Sequence, residues 1–188
     1  MQAREAPAKA KCPTVELVKL LEEACCNVKN PVVVRVMAGF MCACVHGVLR
    51  WSDFQRSVQL ELGKDMLMAK ATMKKKNVLT PWVAHRRGFS GHDWGKAFLI
   101  LLQQHKMPGP DFVLLEPKGM FGFRSRTASY ASVVVHMRIA LMEYTLHGWR
   151  QLYPTLGNQL VLPELEQESI GHWKKGSSMP QHYDTITN

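Results

Sequence analysis

Apolar residues recur at helical spacing through the first quarter of the chain. Thr14 is a helix-capping residue type, and the apolar stripe after it has a period near 3.6, which predicts an amphipathic helix. That stripe comprises Val15, Leu17, Leu20, Leu21 and Ala24. Pro31 then opens a strongly apolar run to about His46, which is typical of a buried core helix.

A turn follows this apolar run. Gly47 allows the chain to turn, and Arg50 comes just beyond it. Ser52 and Asp53 are capping residue types, and they predict a short helix that extends to about Val58.

Strand-forming composition comes next. The three predicted strands are Val58 to Leu62, Met66 to Met73 and Val78 to Ala84. The first connection is Gly63 to Asp65, and the second, Lys74 to Asn77, contains three lysines. We therefore predict a small antiparallel sheet with a basic hairpin tip.

Helices dominate the prediction beyond residue 85. A loop with a capping residue at Phe89 to Asp93 precedes the first of them, and the Gly- and Arg-bearing residues 116–127 are predicted as a second loop. The predicted helices are Trp94 to His105, Ala128 to Tyr144, His147 to about Tyr153, and Pro163 to Ile170.

These elements predict an α+β fold that is mainly helical, with one small antiparallel three-stranded sheet. Residues 1–12 are polar and rich in Ala and Lys, and we expect them to form a disordered tail. Residues 13–188 are enough for one domain with a substantial core.

Charge narrows the class of partner. Lys and Arg number 24 against 15 Asp and Glu, which gives a formal net charge of +9. A polyanion such as double-stranded DNA is the natural partner, because Lys and Arg displace the counterions condensed on a phosphate backbone. Charge alone also fits a basic protein with no nucleic-acid partner.

The cysteines argue against secretion and against a metal site. Five cysteines form no secreted-scaffold pattern, which favours a reducing intracellular setting. Cys42, Cys44 and His46 have the composition of a metal half-site, yet a second Cys/His pair at zinc-finger spacing is missing. We expect Cys42 and Cys44 to be small buried hydrophobes, and we expect no metal or other cofactor.

The apolar run is not expected to cross a membrane. Pro31 to Leu49 contains Arg35 and His46 and is flanked by amphipathic sequence, so a core helix is the better interpretation. We find no signal-peptide pattern.

Candidate chemistry is concentrated near the C-terminus. His147 and Arg150 are three residues apart, so they share one face of a helix and can bind one ligand together. His172 and Tyr183 follow. A His beside an Arg that can grip an oxyanion suits a phosphate under attack, and a Tyr supplies a hydroxyl nucleophile.

Arg50 completes a pattern that resembles the tyrosine recombinase (phage-integrase-like) family. In that family a first Arg in a Gly-x-x-Arg-x-Ser turn is followed by His-x-x-Arg, a Leu-Gly-His motif and the nucleophilic Tyr. Here the separations are 97 residues (50 to 147), 22 (150 to 172) and 11 (172 to 183), with Ile170 where the family often has Leu. The resemblance covers roughly residues 30–184, and the eukaryotic mobile-element recombinases are the most similar members.

The resemblance implies a role for each residue. Arg50 and Arg150 would stabilise the charge that develops on the nonbridging phosphate oxygens, without a metal ion. His147 would hydrogen-bond the phosphate or accept the phenol proton, and His172 would donate to a nonbridging oxygen. Tyr183 would form a 3′-phosphotyrosyl intermediate. The plainer alternatives are surface arginines and a core histidine.

The family supplies the proton for the leaving 5′-oxygen from a Lys on the sheet hairpin. Lys74 fits best, because it lies near the end of one strand and a few residues before Pro81, and Lys70 is the second choice. A lysine cluster at a hairpin tip also fits a solvated turn or a phosphate contact.

Further basic residues suit contacts to the DNA backbone rather than catalysis. His85 lies beside two of them in the sequence. The predicted DNA-binding residues are Lys70, Lys75, Lys76, Arg86, Arg87, Arg124 and Arg126.

Two departures from the family pattern limit what the resemblance implies. Residues 1–30 are too short for the family's N-terminal DNA-clamping domain, and only five residues follow Tyr183. We therefore expect a catalytic domain, cut from a longer protein or left by a degenerate element. Its expected setting is the nucleus, with self-association on DNA. The alternatives are a type IB topoisomerase and a DNA-binding module whose activity has decayed.

Overall fold

More of the described residues lie in helices than in strands. The computed structural model describes residues 12–73, 78–107, 109, 112–140, 152, 153, 163 and 166. Within them the helices are α1 (Val15–Cys26), α2 (Val32–His46), α3 (Trp51–Gln55), α4 (Trp94–Gln104) and α5 (Tyr130–Ala140).

The first two helices lie where the apolar pattern predicts them. Thr14 caps α1, and its hydroxyl oxygen accepts a hydrogen bond from the Leu17 amide at 3.2 Å. Pro31 precedes α2, most of whose residues are buried, Cys42 and Cys44 among them. This confirms α2 as a core helix with its cysteines in the apolar interior. No described helix has the length and apolarity of a membrane span.

The predicted three-stranded sheet is confirmed. Its strands are β1 (Ser57–Leu62), β2 (Met66–Met73) and β3 (Val78–His85), antiparallel and in that order, with β2 in the centre. Leu67, Ala69 and Ala71 lie on the buried face of β2, while Lys70, between Ala69 and Ala71, is exposed and pairs with Pro81 on β3. Pro81 is tolerated because β3 is an edge strand of the described sheet.

The short helix α3 differs from its prediction. Arg50, not Ser52 or Asp53, occupies the N-cap position, and the helix ends at Gln55 instead of about Val58. The early end follows from Ser57, whose hydroxyl donates to the Asp53 carbonyl at 2.9 Å and accepts from the Trp82 indole N–H at 2.8 Å. These bonds hold Ser57 at the start of β1, so the helix ends before it.

The loop prediction for residues 116–127 is wrong. A two-stranded antiparallel hairpin forms there, with β4 (Leu115–Lys118) and β5 (Gly122–Thr127). Gly119 makes the turn with φ of 65°, a left-handed conformation that favours glycine. The hairpin tip is tied to α2 by a hydrogen bond from the Val33 amide to the Met120 carbonyl at 3.2 Å.

The later helices follow the prediction as far as they are described. Asp93 caps α4 by accepting from the Lys96 amide at 3.1 Å. Ahead of α5, Ser129 and Ser132 cap each other through backbone N–H to hydroxyl bonds, so the helix begins at Tyr130 and not at Ala128. Residues 141–144 lie outside the described residues. So do most of the predicted helices at 147–153 and 163–170, although Leu152 and Tyr153 have helical backbone.

An aromatic cluster joins these helices to the sheet. The rings of Phe40 and Phe54 lie 5.1 Å apart, and Phe54 also packs against Trp82 and Phe98. A side chain at Gly39 would collide with the Phe98 ring, so the close approach of α2 and α4 requires a glycine there. This core fixes the C-terminal end of α2, which leads directly to Arg50.

Candidate functional site

The turn between α2 and α3 presents Arg50. The amide of Leu49 donates to the Cys44 carbonyl at 3.0 Å, and the Leu49 side chain is buried. Val48 has φ of 49°, a left-handed conformation that is rare for a β-branched residue and costs on the order of 1–3 kcal/mol. Strain of this kind is concentrated at functional sites, where the surrounding structure holds it in place.

The backbone of Arg50 is fixed while its side chain is exposed. The Arg50 carbonyl accepts from the amides of Asp53 and Phe54 at 3.1 and 3.0 Å. Arg50 takes part in none of the ion pairs between described residues. Its guanidinium therefore extends from a hydrogen-bonded turn and is open to an anion from solution.

Lys70 lies on the exposed face of the sheet. Its neighbours in register are Val58 on β1 and Pro81 on β3. The pairing with Pro81 places Lys70 beside that proline in the sheet. Lys74, Lys75 and Lys76 lie outside the described residues, so the choice between Lys70 and Lys74 stays a prediction.

Four predicted catalytic residues, His147, Arg150, His172 and Tyr183, also lie outside the described residues. Arg50 is thus the predicted catalytic residue whose position is known. The assignments of the other four rest on their order and spacing in the sequence.

Two of the predicted DNA-binding arginines are engaged within the protein. Arg86 Nε donates to Asp93 Oδ1 at 2.9 Å, and its Nη1 donates to the Gly63 carbonyl at 3.1 Å. Burial favours a higher pKa for Asp93, but the hydrogen bond from Arg86 outweighs it and the pKa lies below its ordinary value. Arg126 similarly donates to Glu116, with 2.8 Å between Nη2 and Oε1. To bind a DNA phosphate, each of these two guanidiniums would have to give up hydrogen bonds to the protein.

Arg87 and Arg124 are better placed to contact phosphate. The Arg87 side chain is 70% exposed and its nearest Asp93 oxygen is 4.0 Å away, and Arg124 is exposed on β5. Arg87 and Arg124 therefore offer guanidiniums that bind a phosphate at little cost in protein contacts.

Tyr153 is the described tyrosine that lies deepest in the protein. Its hydroxyl is 2.7 Å from His46 Nδ1, and its ring stacks on Phe89 with centroids 6.0 Å apart. Burial, with a smaller effect of Glu22, raises the pKa of Tyr153 to about 12. A phenol whose proton is harder to remove is a poor nucleophile, so Tyr153 is disfavoured as the attacking group.

The sequence reasoning missed the group that binds Tyr153. His46 Nε2 lies 2.7 Å from Glu22 Oε1, and both side chains are almost completely buried. The amides of Phe89 and Ser90 donate to the two Glu22 oxygens at 3.0 and 2.7 Å. A signal was present, because Glu22 interrupts the core-facing side of α1 between Leu21 and Cys25. A carboxylate there needs a buried partner.

The described residues contain no group of three or more His, Cys, Asp or Glu side chains that could hold a metal ion. No family model matches the chain, and no curated protein matches it.

Solved structures do match the fold. XerH site-specific recombinase bound to its difH substrate, before cleavage, superposes with a TM-score of 0.57 at 12% identity over 95% of this chain and 52% of that one. Its post-cleavage complex gives 0.60 at 14% identity over 97% and 51%. The Tn1549 transposon integrase in complex with circular intermediate DNA gives 0.54 at 9% identity over 99% and 64%.

These similarities establish the fold as that of a tyrosine recombinase catalytic domain. The chain spans about half the length of the XerH chains it matches. At such low identity the roles of individual residues do not follow from the superposition.

Proposed function

We propose that the chain breaks and rejoins DNA as a tyrosine recombinase, through a covalent phosphotyrosyl intermediate at Tyr183. The observation that carries the proposal is the exposed Arg50 guanidinium on its rigid turn, in a fold similar to those of XerH and the Tn1549 integrase. The order of Arg50, His147, Arg150, His172 and Tyr183 in the sequence supports it further.

The reaction first requires that negative charge on the phosphate be stabilised. As the tyrosine oxygen attacks, negative charge grows on the nonbridging oxygens, and fixed N–H donors lower the barrier if they are already in place. Arg50 and Arg150 supply those donors in this proposal, and His172 adds another. The rigid backbone at Arg50 supports its part in this arrangement.

Proton transfer is the second demand. His147 accepts the Tyr183 proton or holds the phosphate, since an imidazole titrates near neutrality while a free phenol has a pKa of about 10. The Tyr183 oxygen bonds to phosphorus, the bond from phosphorus to the 5′-oxygen breaks, and that oxygen takes a proton. The covalent link conserves the energy of the broken bond, so rejoining needs no ATP.

A lysine provides the proton for the 5′-oxygen, and Lys74 is the first choice over Lys70. Lys74→Ala should slow cleavage more than it weakens DNA binding. A duplex with a sulfur at the 5′-bridging position should restore the rate, because a thiolate leaves without a proton. Single-turnover cleavage of the two duplexes checks this. If the sulfur substrate rescues Lys70→Ala but not Lys74→Ala, the acid is Lys70.

The proposal is tested by trapping the intermediate. A nicked suicide duplex loses the short strand that would rejoin, so a protein–DNA adduct should accumulate and survive denaturation. It should form equally in excess EDTA, because guanidiniums perform the role that metal ions have in other phosphoryl-transfer enzymes. An adduct that needs Mg²⁺ would contradict the metal-free scheme. Duplex binding without an adduct would favour the decayed DNA-binding module.

DNA binding is expected to be mainly electrostatic, and each neutralised phosphate adds a slope of about −0.9 to log affinity against log salt. Arg87→Ala with Arg124→Ala should therefore flatten the slope of log affinity against log salt by about two units. Arg86→Ala is the matched control in the same basic cluster. It should change the slope less and lower the melting temperature more, because Arg86 holds Asp93 and the Gly63 carbonyl.

Self-association on DNA, an origin in a mobile element and a nuclear setting belong to the same proposal. The fold similarity to a transposon integrase supports the second of these. The topoisomerase alternative is separated by substrate: a topoisomerase relaxes supercoiled plasmid of any sequence as a monomer, whereas a recombinase exchanges strands between two duplexes.

A further inference from the structure

Glu22, His46 and Tyr153 form a continuous hydrogen-bonded network, in which Glu22 and His46 are buried and Tyr153 is half-buried. Both imidazole nitrogens of His46 are used, Nε2 towards Glu22 and Nδ1 towards Tyr153, each at 2.7 Å. The His46 ring stacks on Trp94 at 5.4 Å and packs near Phe89 at 5.5 Å. Hydrogen bonds and ring contacts therefore hold the His46 side chain in place among the described residues.

The surroundings of Glu22 and Tyr153 set the protonation states of these two groups. Burial opposes the charge on Glu22, but hydrogen bonds from His46 and Ser90 outweigh it, and the pKa of Glu22 lies below its ordinary value. Glu22 is thus a carboxylate that accepts from His46 Nε2–H. Tyr153 keeps its proton because burial raises its pKa to about 12, so the contact with His46 Nδ1 joins a protonated phenol to the imidazole ring.

The surrounding backbone is shaped to fit this network. Glu22 accepts from the amides of Phe89 and Ser90, which follow β3, so α1, α2 and this loop meet at the carboxylate. A side chain at Gly88 would overlap both the Glu22 carboxylate and His46 Nε2. Glycine at this position lets the loop approach the buried pair.

The network joins the two parts of the chain that carry the active-site arginines. His46 is four residues before Arg50, and Tyr153 is three residues after Arg150. Whatever conformation the intervening residues adopt, three residues span at most about 11 Å and four about 14 Å. The hydrogen bond between His46 and Tyr153 therefore limits how far the Arg50 turn and the segment of His147 and Arg150 can separate.

We infer that Glu22, His46 and Tyr153 are positioning residues, which hold the Arg50 turn and the segment carrying His147 and Arg150 in register for phosphate binding. Tyr153 touches neither phosphate nor leaving group in this role. Its hydroxyl acts through His46. The inference rests on the proposed strand-cleavage function, and it adds residues that the recombinase motif does not contain.

Tyr153→Phe tests the inference because it removes only the phenol oxygen and keeps the ring that stacks on Phe89. Tyr130→Phe is the matched control, since Tyr130 is an exposed tyrosine at the start of α5. Two quantities are measured: hydrogen–deuterium exchange of peptides spanning residues 145–153 without DNA, and the single-turnover rate of adduct formation on the suicide duplex.

In Tyr153→Phe we expect exchange in 145–153 to rise about tenfold with α4 unchanged, from the loss of one partly buried hydrogen bond. Adduct formation should slow by a similar factor at unchanged duplex affinity, and Tyr130→Phe should match wild type. In a His46→Gln background, Tyr153→Phe should add little. If His46→Gln does not fold, the single variant still decides.

Three outcomes would overturn the inference, and a fourth would overturn the proposed function instead. Unchanged exchange in 145–153 means that the hydrogen bond positions nothing. A uniform rise in exchange that includes α4 means that the hydrogen bond only stabilises the protein as a whole. A rise confined to 145–153 with an unchanged rate of adduct formation means that the relative position of the two arginine-bearing parts does not affect cleavage. If wild-type protein forms no adduct at all, the proposed function itself fails.

Discussion

Tyr183→Phe is expected to abolish the covalent adduct completely while duplex affinity stays within a few fold. The substitution removes the phenol oxygen that bonds to phosphorus and leaves the positive charge of the protein unchanged. Adduct is measured by denaturing gel on the suicide duplex, and affinity by titration of an intact duplex of the same sequence.

Tyr130→Phe provides the comparison for this loss. Tyr130 is the first residue of α5, and its exposure means that removal of its hydroxyl costs little stability. It should form adduct at the wild-type rate. Adduct that persists in Tyr183→Phe would send the search for the nucleophile to another tyrosine, with Tyr153 disfavoured by its hydrogen bond to His46.

Arg50→Lys should lower the single-turnover cleavage rate by two to three orders of magnitude although the charge is kept. An ammonium lacks the planar fork of N–H donors, and the loss of one preorganised contact to a transition-state oxyanion costs about 2.7–4 kcal/mol. The Arg50 side chain is exposed and outside the described ion pairs, so the melting temperature should be unchanged.

Arg56→Lys is the matched control for this effect. Arg56 is exposed at the C-terminal end of the same short helix and lies outside the recombinase motif. It should cleave at nearly the wild-type rate. Equal, small effects of Arg50→Lys and Arg56→Lys would remove Arg50 from the site.

Local patterns in the sequence predicted most of the described fold. The helices α1, α2 and α4 each begin where a capping residue or a proline precedes an apolar period, and the sheet follows from strand-type segments separated by polar turns. Such signals lie within a few neighbouring residues, so a single sequence contains them.

Elements that depend on distant contacts were missed. The hairpin β4–β5 has mostly exposed or half-buried residues and little apolar alternation. It is held by Met120, whose carbonyl binds the start of α2. The end of α3 depends likewise on Ser57, which bonds Trp82 of β3. Neither contact is visible in the local sequence.

The candidate site likewise has one part that a motif along the chain predicts and another part that only the fold brings together. The catalytic assignments stay predictions that rest on order and spacing along the chain: Arg50, His147, Arg150, His172 and Tyr183. The network of Glu22, His46 and Tyr153 brings together residues 24 and 107 positions apart, and only the fold joins them. The same holds for Arg86, whose partner Asp93 decides how freely it can bind DNA.

Identification of the tyrosine that carries DNA is the most direct test of the account. The chain has four tyrosines, and trypsin, which cuts after Lys and Arg, places each in a different peptide: 127–138, 139–150, 151–174 and 176–188. The adduct is digested with nuclease and trypsin and analysed by mass spectrometry. We predict a nucleotide, linked through its 3′-phosphate, on peptide 176–188 alone. A nucleotide on any of the other three peptides, or a link through a 5′-phosphate, would contradict the account.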